Sequence, residues 1–472
     1  MNKFFFRLII LFCLITEISS AQYKKLHDFI LNNTDGWGPS CTMVINGNKL
    51  FGMTNGGGKD SIGTIFSIDT NGSGEQLLYS FNGTDGAQPV YSSLTLIENK
   101  LYGIAGGGTS NDGVIFSIDT NGKGYKVLFN FNGSNGNAPE GKLVLSGNKL
   151  YGTTYYGGTN NDGVIFSIDT NGAGYKVLFN FNNSITGEYP YGCGLTLSGN
   201  TFYGTTSNGG KYSSGTIFSI DTSGSIFNTI YNFLDTGAMA ASGATGQLAL
   251  SGTTLFGMTT FGGGTGGSGA LFAIQTNGGG YHFLHDFSTY CNGENPYNSL
   301  ALSGKILYGM SQGGTNGNIF SVDTDGTNYS CLYSFSGTDG SHSVYCGLTL
   351  WGGMIYGVTN EGGIDNEGVI FSYKDSAITT SVSELNTGSE TVKVWPNPSN
   401  GIFNLQSGIR NLTGKIVIYN SLGQQVYSTP LNLPQGGDFK VDVHTQPTGM
   451  YLYRVTSEKG ELIGSGKLVV EK

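Results

Sequence analysis

The sequence predicts an all-β chain, a seven-bladed β-propeller of four-stranded blades followed by a small Ig-like β-sandwich. Three observations carry this. The word VIFSIDTNGKGYKVLFNFN at 114–132 returns almost unchanged at 164–182, and its central Phe recurs as Phe66, Phe116, Phe166, Phe218, Phe272, Phe320 and Phe371, at spacings of 50, 50, 52, 54, 48 and 51 residues. Self-similarity at a fixed period marks a repeat architecture. Glycine supplies 79 of the 472 residues while aromatic residues reach 12%, a composition suited to short aromatic and β-branched strands joined by many turns. Finally, a strand word typical of the end of a repeat stands before the first repeat and is missing after the last.

In chain order, residues 1–21 read as a secretory signal cleaved near Ala21: Lys3 and Arg7 precede an apolar run at 8–15, and Ser19, Ser20 and Ala21 precede Gln22. Phe12 stands before Cys13 where a lipoprotein signal wants a small residue, so lipidation is set aside. No later stretch approaches the ~20 apolar residues of a membrane span.

Residues 22–375 form the expected propeller. In the unit at 141–181, strands are expected at 143–145, 150–153, 164–169 and 175–181. The pairs Asn71-Gly72, Asn121-Gly122, Asn171-Gly172 and Asn277-Gly278 predict type I′ hairpins between third and fourth strands. The second-strand word ends at Gly52, Gly103, Gly152, Gly204, Gly257, Gly309 and Gly357. The fourth-strand word ends at Phe29, Phe81, Phe131, Phe181, Phe233, Phe287 and Phe335. Residues 24–30 are therefore expected to close blade seven as its outer strand. Eleven residues before each second-strand glycine stand Cys41, Ser92, Gly141, Cys193, Gly246, Asn298 and Cys346. A register of small residues places the first strand innermost, where strands crowd an axis. The long loops, from strand two to three and from strand four to the next blade, then share one face, where function is expected.

Residues 376–391 read as a linker rich in Ser, Thr, Glu and Asn. In 392–472, seven short alternating segments bounded by Pro, Asn or Gly predict the β-sandwich.

Two resemblances attach to these segments. The repeats, with LYGTT, a GG loop, GxIFSID and YxVLxNF words over 24–373, resemble the tandem "GloVer" repeat family of secreted bacterial proteins. That resemblance implies a propeller-like module and no established reaction. The tail, with Pro396, Asn397 and Pro398, then Gly401 and Phe403, the YNSLG word at 419–423, Gly449 and Tyr451, and a closing KLVV, resembles the type A sorting domain of the type IX secretion system. This implies the type IX secretion machinery as partner, export across the outer membrane of a Bacteroidota-type bacterium, and a chain that is secreted or anchored at the cell surface, with or without removal of the tail.

A net charge of −9 and pI near 5.0 exclude a basic nucleic-acid surface. Asp69, Asp119, Asp169, Asp221 and Asp323 precede turns too short and too poor in carboxylates for calcium, so they read as turn caps. No metal and no cofactor is expected. His27 and His285 replace aromatic residues of the fourth strand and read as packing groups. Cys41 and Cys346 fall at one register of blades that become neighbours on closure, where a disulfide is conceivable.

Ligand-binding candidates lie on the long-loop face. Tyr91, Tyr297 and Tyr345 share a register with Tyr191 one residue earlier, and Tyr155, Tyr156 and Phe261 occupy strand-two-to-three loops. Such rings either stack on sugars or pack blade against blade. Glu140, Glu188 and Glu294 share the face, yet no repeat gains the paired carboxylates of acid–base glycoside chemistry. The expectation is a non-catalytic binding or adhesion module for glycan or protein, with a polysaccharide-degrading enzyme or a structural spacer as alternatives.

Overall fold

The computed structural model describes residues 22–31, 36–192, 194–234, 236, 240–263, 267–287, 294–342, 346–378, 392–397, 399–407, 412–420, 425–433, 438–457 and 462–471. The expected signal at 1–21, most of the linker, Cys193, Tyr345 and Pro398 lie outside these residues. The chain divides into two compact units, Met1–Thr379 and Thr380–Lys472.

Among the described residues, the first unit is all-β apart from one short helix, Asn183–Thr186. Its strands form seven sheets in a propeller-like arrangement, one for each repeat, antiparallel except where Ser92–Ser93 pairs parallel with Gly141 and Lys142. In repeat three the strands are Asn137–Ser146, Lys149–Tyr156, Val164–Asp169 and Lys176–Asn180, hydrogen-bonded in chain order. Repeat seven supplies only Thr349–Trp351, Met354–Thr359 and Val369–Lys374. Its fourth strand is the N-terminal Tyr23–Asp28, which pairs antiparallel with Val369–Lys374.

The repeated words are repeated packing. Each second-strand glycine lies opposite a third-strand phenylalanine, as Gly152 opposite Phe166. A Cβ on Gly152 would stand 2.6 Å from the Phe166 ring, and the other six glycines meet their own phenylalanines at 2.3–2.5 Å. Only a residue without a side chain lets the ring lie flat on the neighbouring strand. The same ring meets the preceding sheet edge-on, with Phe131–Phe166 centroids at 5.4 Å. Equivalent pairs are Phe81–Phe116, Phe181–Phe218, Phe233–Phe272, Phe287–Phe320 and Phe335–Phe371, all within 5.3–5.6 Å. Phe29, just after the N-terminal strand, makes the seventh with Phe66 of repeat one at 5.4 Å.

A second set of rings stacks across the outer strands: Tyr79–Tyr125 at 3.7 Å, Phe129–Tyr175 at 3.8 Å, Phe179–Phe227 at 3.8 Å, Tyr231–Tyr281 at 4.0 Å and Tyr23–Tyr333 at 4.0 Å. His285 stacks on Tyr329 at 3.7 Å in the same way, and burial lowers its pKa, so it packs as a neutral ring.

Two expectations are corrected. A type I′ turn needs positive φ at both central residues, but only Gly172 has it, at 91°, while Asn171 does not. The Asn171 Oδ1 accepts instead from the Ala173 amide at 2.8 Å, and Gly172 N donates to Asp169 O at 2.8 Å. Asp169 is further held by Lys149, with Nζ 2.7 Å from Oδ1, and Lys49–Asp69 and Lys100–Asp119 repeat the pair. Asp69, Asp119 and Asp169 are thus ion-pair partners as well as turn residues. Secondly, neither Cys41 nor Cys346 forms a disulfide. The Cys41 thiol donates to Met53 O and accepts from Met53 N, and Cys346 Sγ donates to Pro39 O at 3.8 Å. Burial pushes the Cys41 pKa up to about 11, keeping the thiol protonated.

The second unit has a three-stranded sheet (Val392–Trp395, Ile402–Ser407, Asp438–Asp442) and a four-stranded sheet (Gln425–Leu433, Leu412–Asn420, Gly449–Ser457, Leu462–Val470). Phe403, Ile418, Val455 and Val470 are fully buried between them. The tail motif serves this packing. Asn397 Oδ1 accepts from Val469 N at 2.8 Å, and Tyr451 donates its hydroxyl to Pro447 O at 2.7 Å. Gly401 has φ 100°, and a Cβ there would stand 2.6 Å from the His444 backbone.

Candidate functional site

Repeat three is built differently from its neighbours on the long-loop side. Its first two strands are 10 and 8 residues long, where repeat four has 3 and 6. The extended hairpin pairs Asn137 with Tyr156 and carries Tyr155 and Tyr156 beyond the inner sheet. The loop leading into repeat four brings Tyr189 and Tyr191 against them, and Tyr91 arrives from the entry to repeat two.

Five rings therefore converge. Tyr91 meets Tyr191 at 5.2 Å, Tyr191 meets Tyr155 at 5.1 Å, and Tyr155 stacks on Tyr189 at 4.9 Å. Tyr156 stands edge-on to Tyr155 at 4.3 Å and to Tyr189 at 5.3 Å, and is 38% exposed. Two of the five have backbones in the left-handed region, Tyr91 at φ 58° and Tyr189 at φ 57°, a conformation that costs a bulky residue about 1–2 kcal/mol. Hydrogen bonds hold both: Gly141 N donates to Tyr91 O at 2.8 Å, while Tyr189 N donates to Asp162 O and Tyr189 O accepts from Ser207 N. The Tyr189 conformation is shared by Gln88, Ala138, Asn295 and His342 at the same register, so it belongs to the repeated loop rather than to the cluster alone.

Of the sequence candidates, the structure unites Tyr91, Tyr155, Tyr156 and Tyr191. Phe261 occupies the corresponding place on the extended hairpin of repeat five, opposite Ser242 and 53% exposed. Tyr297 is half-buried at the entry to repeat six. The residue missed from sequence, Tyr189, fills the position before the loop proline that Gln88, Ala138 and Asn295 fill in other repeats, where only Tyr189 is aromatic.

Two carboxyl groups belong to the cluster. Gly192 N donates to Glu140 Oε2 at 3.0 Å, and burial raises the Glu140 pKa from 4.5 to about 8. Glu188, 8% exposed, is raised by burial and then by the negative charge of Asp162. Glu294 is half-buried in repeat six and offers its backbone carbonyl to Gln312 N. Among the described residues, no three His, Cys, Asp or Glu side chains are grouped to hold a metal ion.

Glu140 makes stability depend on pH with a definite sign. The unfolded carboxyl ionises near 4.5, whereas the folded one keeps its proton to about 8. Its stabilising contribution is complete below pH 4.5 and falls as pH rises towards 8. The loss is expected to be roughly 2–4 kcal/mol, discounted for the partial exposure of the group. Thermal melts of the parent should decline across that window, and those of Glu140→Gln should decline less.

The fold and this face define an all-β repeat protein of propeller-like build. The chain belongs to the Gloeobacter/Verrucomicrobia repeat family, whose model matches residues 13–166, 75–263, 147–371 and 239–414. Residues 393–471 match a secretion system C-terminal sorting domain, which supports export by a type IX route. No curated protein sequence matches the chain. Among solved structures, it is similar to an oligogalacturonate lyase from Vibrio parahaemolyticus, at 10% identity and TM-score 0.50 over 76% of this chain and 94% of that one. It is also similar to a chain of a nidogen–laminin complex (12%, 0.39, 60% and 90%) and to TolB from Acinetobacter baumannii (16%, 0.36, 56% and 58%). At such identities the likeness bears on fold alone. No helix among the described residues is long and apolar enough to cross a membrane.

Proposed function

We propose that the seven sheets are the blades of a closed seven-bladed propeller, that the second unit is an Ig-like sandwich serving the type IX machinery, and that the exported protein is a surface binding module for glycans. One observation carries the ligand class: five tyrosines from three consecutive repeats converge on the long-loop face, two of them in strained backbone conformations. Partly exposed rings with fixed orientation offer a stacking platform for the C–H faces of a sugar, and the Glu140, Glu188 and tyrosine oxygens beside them can engage hydroxyls. Phe261 supplies a separate exposed ring for a longer chain.

A glycan-array screen of mature chain 22–472 tests this reading. Tyr155→Ala, which removes the ring at the centre of the cluster, is expected to weaken binding by about tenfold, equivalent to one good stacking contact. Silence across the array, or unaltered binding by Tyr155→Ala, would favour the spacer reading.

One observation favours a second reading, a polysaccharide-degrading enzyme. A carboxyl group held protonated near neutrality beside an aromatic platform is suited to general-acid work. Release of reducing ends from a polysaccharide by the parent and not by Glu140→Gln would establish it.

A further inference from the structure

The residue following each small inner-strand position forms a second register: Thr42, Ser93, Lys142, Gly194, Gln247, Ser299 and Gly347. All seven line one axial cavity of about 190 Å³, together with Tyr91 at the edge of the tyrosine cluster. Each repeat thus gives the cavity one residue of this register, five with side chains and two glycines. The column holds a single charged residue, Lys142, and no carboxylate.

The polar members are already tied into the wall in a way that fixes what they can still do. Thr42 N donates to Ser93 Oγ at 2.9 Å, Gly347 N donates to Thr42 Oγ1 at 2.7 Å, and Gln247 N donates to Ser299 Oγ at 2.8 Å. Three hydroxyl oxygens therefore accept from backbone amides of adjoining repeats. Their own hydrogens have no acceptor among the described residues, so the hydroxyls face the cavity as donors. Gln247 Nε2 is taken by Leu195 O at 2.8 Å. Lys142 has no ion-pair partner among the described residues, and its strand neighbour Glu140 is engaged by the Gly192 amide. The two glycines of the column keep room on its remaining side. A Cβ on Gly347 would stand 2.5 Å from Thr42 Oγ1, so that hydroxyl depends on the glycine for its place. Below Lys142 a second cavity, of about 510 Å³, is lined mainly by Met43, Val44, Ile45, Leu96, Leu302 and Leu350, and offers the ammonium no carboxylate either.

An ammonium group and three hydroxyl donors around a cavity a few waters in volume is the donor set for one compact anion. We propose that the axial ring binds a single small anion of carboxylate or phosphate size, held by Lys142 Nζ and the hydroxyls of Thr42, Ser93 and Ser299. The site is independent of whether the tyrosine face binds sugar, although an acidic sugar seated on that face would carry its carboxylate to the cavity mouth. Burial lowers the Lys142 pKa, and a bound anion would oppose that shift.

Calorimetric titration of the mature chain 22–472 with sodium acetate, sodium glucuronate and sodium phosphate, in a dilute zwitterionic buffer, tests the proposal. Saturable binding of one anion per chain is expected. Lys142→Met should weaken it by about tenfold, the loss of one charged hydrogen bond. The double variant Ser93→Ala with Ser299→Ala keeps the charge and should weaken it by a smaller factor, which guards against a Lys142→Met chain that fails to fold. A response to acetate and glucuronate without phosphate identifies a carboxylate site, and phosphate alone identifies an inorganic one. Absence of saturable heat with all three anions overturns the proposal, as does binding that both variants leave intact.

Discussion

A chain lacking residues 22–31 is expected to lose the cooperative thermal transition of the repeat unit. The N-terminal strand Tyr23–Asp28 is the fourth strand of the last sheet, and its removal bares the whole edge of Val369–Lys374. It also removes Phe29, fully buried against Phe66, and Tyr23, stacked on Tyr333. Each buried aromatic contributes roughly 2–3 kcal/mol. Together with the lost ladder this is comparable to the ~5–15 kcal/mol that stabilises a typical domain. Circular dichroism melts of the truncated and parent chains make the comparison. An unchanged midpoint would show that the strand closes nothing. Removing a surface loop of similar length should, by contrast, cost little.

The second large effect concerns export. A chain ending at residue 391 keeps every repeat and loses the sorting domain matched at 393–471. It is expected to fold and to remain inside the cell, with nearly all of the extracellular or surface-exposed protein lost. Immunoblots of cell fractions and medium provide the measurement, and undiminished appearance outside would remove the tail from the export route. Within the tail, Gly401 and Phe403 should matter through the fold of the second unit. The first admits no Cβ against His444, and the second is fully buried.

Much of the fold was legible because its packing rules are written in every copy. The recurring glycine and phenylalanine words marked the second and third strands, and the displaced fourth-strand word pointed to pairing between the two ends of the repeat region. The type I′ expectation failed because a dipeptide preference gave way to a side-chain cap: the Asn171 carboxamide bonds the backbone two residues on. The Lys–Asp pairs were hidden because Lys149 and Asp169 lie 20 residues apart and meet only through strand register. The site was partly legible. Tyr155 and Tyr156 stood out as departures from the repeat, but their union with Tyr91, Tyr189 and Tyr191 depends on three segments crossing one face, which periodicity does not report. Lys142 was masked in the sequence by its neighbour Gly141, which belongs to the register of small residues. The useful signal was one lysine in a column otherwise filled by Thr, Ser, Gly and Gln.

The edge-on phenylalanine contact has a last consequence. Phe29–Phe66 has the same 5.4 Å spacing as Phe131–Phe166 and joins residues about equally near along the chain, so the two ends of the repeat region meet through the pairing of Tyr23–Asp28 with Val369–Lys374. The last sheet therefore carries no lock specific to its own N-terminal strand. The same strand from another molecule fits the vacancy equally well. What selects the native partner is its tether, which sets an effective concentration on the order of millimolar. The intramolecular pairing is favoured at ordinary concentrations, and crowding many molecules at high density favours exchange of that strand between neighbours.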